Sequence, residues 1–473
     1  MEHFDSSINI FDLNQYSVEH NIVESLIKKL FPICRSITGN GVRKSLQILN
    51  DISEFQISEV PSGTKCFDWI IPEEWNIDDA FITNDNNEKI IYFQNNNLHV
   101  LNYSTPIDKK MNFNELKNHI HTNPDIPDAI PYRTSYYKRD WGFCLSHNQL
   151  LKIDKTSDYH VVIKSSLIPG SLTYGEFLVK GKSKSEFIFS TYCCHPSMAN
   201  DNLSGMILWI LLLNYLKEKK TKFSYRFLIM PETIGPIAYL SKCENQLSNV
   251  SGGFVLTCLG GPSDFSYKST FLDNHSIDQI VQDTLNELKI NFKKLPFSIR
   301  GSDERQFSSP GFRIPIGVLC KDKFHEFDYY HTSLDNLDFI STENILSSFF
   351  VYTKIIDNLE KLEETSLKTK NSNMNDDSKS KFPIFKSKNP KCEPMLSKRG
   401  LYPVLGGSLK HSKNTLQSMF ETEKNLELVL NSLFYSDGGT TIEKISSKCG
   451  LPENELYECS KKLVDIDLLE KND

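Results

Sequence analysis

Between residues 175 and 362, strand-like apolar runs alternate with helix-like runs, and this alternation limits the fold more than any other feature of the chain. EFIFSTYCC, YRFLIM, GGFVLTCLG and IPIGVLC read as strands, and residues 204–217, 237–243, 276–288 and 342–362 read as helices. Parallel neighbours in a sheet need long crossovers, usually helical. Alternation of this kind therefore predicts an α/β fold, a mostly parallel sheet sandwiched by helices.

The flanking regions have other textures. Residues 17–55 read as helix followed by strand, with Val23, Leu26, Ile27, Leu30 and Phe31 at helical spacing. From residue 60 to about 155, short aromatic or apolar segments such as FDWIIPEEW, HVLNYS and YHVVIKSS are separated by Asn, Asp, Pro and Gly. That pattern predicts a small β-rich insert. Residues 363–394, rich in Lys, Ser, Asn and Asp, read as a mobile linker. Residues 415–433 read as a helix, and TTIEKISSKCGLPENELYECSKKLVDIDLLEK reads as helix, Gly-containing turn and helix, the signature of a winged helix-turn-helix. The expected partition is 1–58 as the N-terminal helical part of the catalytic domain, 59–158 as insert, 159–364 as catalytic domain, 365–408 as linker and 409–473 as winged helix.

A chain of 473 residues with 39% hydrophobic content has ample material for buried cores. Net charge is -7, so no whole-chain basic field draws it to nucleic acid or to an anionic membrane surface. The start, MEHFDSSINIFDLNQYS, lacks the basic and apolar regions of a signal peptide. The most apolar run, residues 205–216, is too short to span a bilayer and suits a core helix. Eleven cysteines without a CxxC pair read as reduced thiols, and the expected location is the cytoplasm.

The chemistry concentrates in three segments. In STYCCHPSMANDNLSG, residues 190–205, a strand runs into a loop bearing His195 and Asp201. Ligands in open α/β sheets sit beyond the carboxyl ends of strands, and imidazole and carboxylate are normal zinc ligands. A His and an Asp six residues apart also occur often by chance. The strand YRFLIM ends in Pro231 and Glu232, where a carboxylate is placed as a general base or is simply favoured by a helix N-terminus. Last, DYYHTSLD places His331 in a loop before the long helix. Asp335 either caps that helix or orients a histidine.

Together these segments resemble the zinc aminopeptidase family that includes bacterial leucyl aminopeptidases and glutamate carboxypeptidase. The order is His195, Asp-Asn-x-Ser-Gly, Glu232 with Gly235 three residues on, Ser302-Asp303, then Tyr-His-Thr-x-x-Asp around His331. RSITGNGVR, VPSGTKCFDW, YYKRDWGFCLSH, PETIGPIAYLS, GSDERQF and KRGLYP extend the resemblance to a narrower bacterial group. Its members carry an aminopeptidase-like domain, an association with polysaccharide biosynthesis, a β-rich insert and a C-terminal winged helix. The resemblance implies a zinc-peptidase-like fold, His195, Asp201 and His331 as metal ligands, and Glu232 as the base.

The parent family usually binds two zinc ions. Here Ser197 stands where an Asp follows the first histidine, Thr233 replaces the second Glu of a pair, and Thr257 lies near the next acidic ligand. What remains suits one zinc ion with an open position. The missing acids weaken the case for holding a substrate amino group. Arg305, beside Asp303 and Glu304, is a candidate clamp for a substrate carboxylate or merely pairs with one of its neighbours.

Two functions remain open. One is a mononuclear zinc hydrolase, a metallopeptidase or amidase acting on a small peptide or amide-containing substrate. The other is a non-catalytic zinc-binding or scaffold protein with a DNA- or protein-binding winged helix. ENELYECSKKL, the expected second helix of that module, has three acids and two lysines, so nucleic acid is not expected as partner. The sequence leaves a homodimer open. His119 and His121 read as a solvated loop and Cys193 and Cys194 as strand cysteines, with a thiolate ligand as the alternative. Tyr132, Tyr136, Tyr137 and Trp141 read as a pocket wall or a β-domain core, and Arg35, Ser36 and Thr38 stay undecided.

Overall fold

The structure, a computed structural model, describes residues 13–364, 380–402, 406–407 and 423–472. Its centre is an eight-stranded sheet. The strands in chain order are β1 (Gln56–Pro61), β2 (Ser171–Val179), β3 (Glu186–Tyr192), β4 (Ser224–Met230), β5 (Val250–Val255), β6 (Phe265–Lys268), β7 (Phe292–Leu295) and β8 (Ile316–Cys320). They lie in the order β1-β2-β4-β3-β5-β8-β6-β7. The middle four, β4-β3-β5-β8, are parallel, as the alternation predicts. Antiparallel pairings join β2 to β4 and β6 to β8 at the flanks. Every residue of β3 and β4 is buried, the condition of strands covered on both faces.

Helices cover both faces. Leu13–Leu30, Asn40–Asn50, Gly205–Lys217, Ser276–Glu287 and Thr342–Leu359 share one apolar cluster, with Val23, Leu46, Leu208, Val281 and Tyr352 among its members. Ile234–Cys243 packs Ile237 and Leu240 against Leu228 and Val318 on the other side. The apolar run at 205–216 is a core helix, buried from Gly205 through Leu213. No helix among the described residues is long and apolar enough to cross a membrane.

The insert carries its own four-stranded antiparallel sheet, in the order Lys89–Tyr92, Glu74–Thr83, Asp158–Ile168, Ile107–Asn112. Asp158–Ile168 is a central strand of that sheet, so the insert runs about ten residues past its expected end. The small side of the sheet is closed by Ala80, Ile82, Met111, Val161 and Ile163.

The C-terminal module has helices Glu423–Tyr435, Ile442–Cys449 and Glu453–Asp465, with Gly450 in the left-handed conformation at the turn between the last two. Residues 415–422 of the expected helix lie outside the described residues. The expected linker differs from the structure. Its segment Ile384–Ser387 is a strand paired antiparallel with Leu469–Asn472, and Phe385 and Ser387 are buried. Polar composition hid a strand whose alternate residues face a core. The module docks on the catalytic domain through Phe434, stacked on Phe297 at 5.1 Å, and through the Arg313–Asp437 and Arg300–Glu427 ion pairs at 3.0 and 2.6 Å.

From that strand the chain crosses back over the catalytic domain to the insert. Pro390 accepts from the Gly311 amide (2.7 Å), and the Glu393 amide donates to Gln306 (2.9 Å). Trp69 Nε1 donates to the Glu393 carbonyl (2.6 Å), and Arg399 pairs with Asp68 (2.5 Å). Gly406–Gly407 then pairs with Arg133–Thr134 of the insert.

Candidate active site

His195, Asp201 and His331 converge at the carboxyl end of the parallel strands. Their ligand atoms all lie within 4.8 Å of one another, and all three residues are buried. His195 follows β3. Arg35, fully buried, donates from Nε to the His195 carbonyl (3.0 Å) and from Nη1 to the Leu30 carbonyl (2.6 Å). Burial pulls the Arg35 pKa down to about 10. The undecided Arg35 of the sequence thus fixes the backbone of a candidate ligand, 160 residues away.

Asp201 lies in the turn that opens the Gly205–Lys217 helix. Its Oδ1 accepts from the Tyr192 hydroxyl (2.5 Å), which also contacts the Thr257 hydroxyl at 2.6 Å. Its Oδ2 lies 3.1 Å from His331 Nε2, yet has no partner in hydrogen-bond geometry. Burial alone would raise this carboxyl, but His195 and His331 together hold it below the usual carboxylate range. Burial pulls His195 below its usual range, so its imidazole is the neutral form that binds metals.

Asp335 neither caps the long helix nor touches a histidine. Ser341 supplies that cap. The Asp335 carboxylate accepts the amides of Asn200 (2.6 Å) and Asp201 (2.9 Å), and its carbonyl accepts the Ala199 amide (2.9 Å). It braces the turn that aims Asp201. Burial pushes its pKa up to about 8.

His331 takes φ 55°, rare for a residue with a side chain. The insert holds it there. The Tyr132 amide donates to the His331 carbonyl (2.8 Å), and the Ser333 amide donates to the Ile130 carbonyl (2.9 Å). The Tyr132 ring sits 5.3 Å from the His195 ring and 5.2 Å from the His331 ring. Ser197, Thr233 and Cys258 also have positive φ, so strained backbone gathers at the strand ends around this cluster.

Glu232 follows β4. One oxygen accepts from the Ser302 hydroxyl (2.7 Å), and the other lies 3.8 Å from His195 Nε2. The side chain is 27% exposed, so it faces the open side of the cluster. Burial pushes its pKa up, with His195 opposing. Cys194 accepts the Glu232 amide (3.3 Å) and lies 3.4 Å from His195 Nδ1. Burial holds it well above the usual thiol range, and with His195 and Glu232 it forms a second group whose ligand atoms lie within 4.8 Å of one another.

The positions that lack family acids are engaged otherwise. Ser197 donates to the Phe31 carbonyl (3.0 Å), and the Thr233 amide donates to Asp303 Oδ1 (2.7 Å). Of the three residues read as substrate-binding, two serve the scaffold. Asp303 is fully buried against that amide, and burial with Glu232 nearby pushes its pKa well up. Glu304 pairs with Lys268 at 2.5 Å and accepts the Ser302 amide (3.0 Å). Arg305 pairs with neither; Glu393 lies 3.2 Å from its Nε. His119 stacks on Trp141 at 3.7 Å and joins no metal-capable group among the described residues.

The three donors are of kinds that can hold a metal ion: two imidazoles and a buried carboxylate oxygen without a hydrogen-bond partner. Glu393 carries no signal in the sequence, because it meets Arg305 from a segment far along the chain.

A family profile described as a domain of unknown function, DUF4910, matches residues 24–362, and a winged helix-turn-helix profile matches residues 383–471. A Clostridium acetobutylicum protein, provisionally named a polysaccharide biosynthesis protein with an aminopeptidase-like domain, is 42% identical over 447 residues, covering 94% of this chain and 95% of its own. A crystal structure from Clostridium acetobutylicum, provisionally named a peptidase, superposes with a TM-score of 0.71 at 40% identity, covering 97% of this chain and 98% of its own. BSAP, a zinc aminopeptidase from Bacillus subtilis, shares the fold at 13% identity with a TM-score of 0.53, over 74% of this chain and 96% of its own. The chain belongs to the family described as domain of unknown function DUF4910, with an aminopeptidase-like α/β fold and a C-terminal winged helix.

Proposed function

We propose that this chain is a mononuclear zinc-dependent hydrolase of an amide or peptide bond. The observation that carries the reading is the convergence of His195, Asp201 and His331 on a buried, unpartnered Asp201 oxygen, with Glu232 beside them. His195, Asp201 and His331 would hold the zinc ion, which would supply polarisation of an amide carbonyl and a lowered pKa of bound water.

The chain's own groups supply the rest. Glu232 takes the proton of the attacking water as its oxygen bonds to the amide carbon. It returns that proton to the nitrogen as the carbon–nitrogen bond breaks, releasing acid and amine. Burial raises this carboxyl, which strengthens it as a proton acceptor. Ser302 keeps Glu232 oriented. The relative's name suggests a biosynthetic setting for the substrate, in polysaccharide assembly.

The winged helix fits a docking role better than a DNA-binding one. Its last helix turns Leu456, Cys459 and Leu463 inward and leaves Glu458, Lys462 and Asp465 exposed, which is no phosphate-binding face.

Metal content per chain, measured on wild type and His331→Ala, tests the centre. Near one zinc in the wild type and none in the variant is expected. Two ions per chain would restore a conventional two-metal aminopeptidase, and none would move the weight to a binding protein.

A further inference from the structure

The two candidate ligand histidines differ at their second ring nitrogen. His331 turns Nε2 to Asp201 at 3.1 Å, and its Nδ1 is buried without a hydrogen-bond partner. His195 does have a partner at Nδ1, the Cys194 sulfur at 3.4 Å. Its Nε2 lies 3.8 Å from Glu232, beyond hydrogen-bond reach. The same sulfur accepts the Glu232 amide at 3.3 Å. Cys194 is 2% exposed, so both contacts are shielded from solvent.

A neutral imidazole carries one proton and one lone pair, and the hydrogen bond at one nitrogen sets which nitrogen holds which. If the thiol donated to Nδ1, the ring proton would sit on Nε2, where Glu232 is too far away to accept it. With the proton on Nδ1, the sulfur accepts it and the Nε2 lone pair is free. Metal-binding histidines normally donate their second N–H to a carboxylate, a carbonyl or water. Here the nearby polar groups are used elsewhere. Ser197 donates to the Phe31 carbonyl and accepts from Asn97 (2.7 Å), and the Asp335 carboxylate is taken by the amides of Asn200 and Asp201. Among the described residues, the Cys194 sulfur is the group in hydrogen-bond geometry with His195 Nδ1.

Resting on the hydrolase reading above, we propose that Cys194 is a positioning residue: its sulfur accepts the His195 Nδ1 proton, which leaves the Nε2 lone pair to hold the ion, and it anchors the backbone of Glu232. Candidate ligand and candidate base are thereby set from one atom. Sulfur is a weak acceptor, so the imidazole stays less basic than one held by a carboxylate. Cys194, His195 and Glu232 then form a hydrogen-bonded set, with the thiol orienting the ligand and not binding the ion itself.

The test uses the full chain, metal-free and metal-loaded, above neutral pH. Long-range proton–nitrogen correlation spectra of histidine-labelled protein read the tautomer, with His195 assigned by the signal lost in His195→Gln. The metal-free wild type should carry the His195 proton on Nδ1. Cys194→Ala should shift it toward Nε2 and weaken zinc about 10- to 100-fold in chelator competition. Cys194→Ser keeps an acceptor and should restore the Nδ1 proton and most of the affinity. The His331 signals should not change in either Cys194 variant, which separates the effect from a general loosening of the site. A His195 proton on Nε2 in the wild type, a tautomer or a zinc affinity that Cys194→Ala leaves unchanged, or no rescue by Cys194→Ser would each overturn the inference. So would thiolate-to-metal charge-transfer absorption in cobalt-loaded protein that vanishes in Cys194→Ala, because the sulfur would then be a ligand. The expected tautomer shift in a chain that binds no zinc at all would uphold the Cys194 contact and remove the hydrolase reading instead.

Discussion

Two charged clusters flank Glu232, and they are built on opposite terms. In the first, His195, Asp201 and His331 turn their ligand atoms toward one another and leave Asp201 Oδ2 without a hydrogen bond. In the second, Lys268 and Glu304 satisfy each other at 2% and 1% exposure, and Asp303 clamps the Thr233 amide. Both look equally functional as sequence. The difference lies in the pairing: Lys268 and Glu304 fill one another's hydrogen bonds, whereas Asp303, like Asp201, keeps its Oδ2 buried without one.

Glu232→Gln should separate the two most sharply. It keeps the hydrogen-bond partner of Ser302 but cannot take a proton, so turnover should fall about 10²- to 10⁴-fold with zinc content unchanged. In the wild type the acidic limb of kcat/KM should lie above the ordinary glutamate value near 4.3, because burial raises Glu232 and the base must be ionised. A limb at or below that value would contradict the raised pKa. Lys268→Met should do the reverse: stranding Glu304 costs about 3–5 kcal/mol in denaturant unfolding, while folded protein still binds zinc. If it lost zinc without losing stability, the division between the clusters would collapse.

Asp335→Asn probes the border. One of its two amide contacts becomes a donor facing a donor, so zinc affinity measured by chelator competition should weaken about 10- to 100-fold. The smallest effect is expected from Tyr132→Phe. It removes only the hydroxyl contact to Tyr136 at 2.9 Å, costing about 1 kcal/mol, and keeps the ring against both histidines. A large loss of activity would mean that the hydroxyl itself takes part in chemistry.

The central sheet was legible because strand and helix alternation is a local signal, and the candidate ligands were read through a resemblance in motif order, since a His and an Asp six residues apart say little alone. What escaped was long-range. Asp335 meets backbone amides some 135 residues away, and no residue type announces that role. Arg305 follows two acids, Asp303 and Glu304, in sequence yet pairs with Glu393. The strand Ile384–Ser387 was hidden by the Lys- and Ser-rich composition around it, although Phe385 and Ser387 both face inward.

The bridge between residues 130–132 and 331–333 also sets a timetable. As the chain emerges from the ribosome, the insert that cradles His331 is complete long before His331 exists. At about 5–20 residues per second, the roughly 200 residues between them take on the order of 10 to 40 seconds to synthesise. On the proposed reading, metal loading would follow translation of His331, and a nascent chain stalled before it would have two donors and no finished cage.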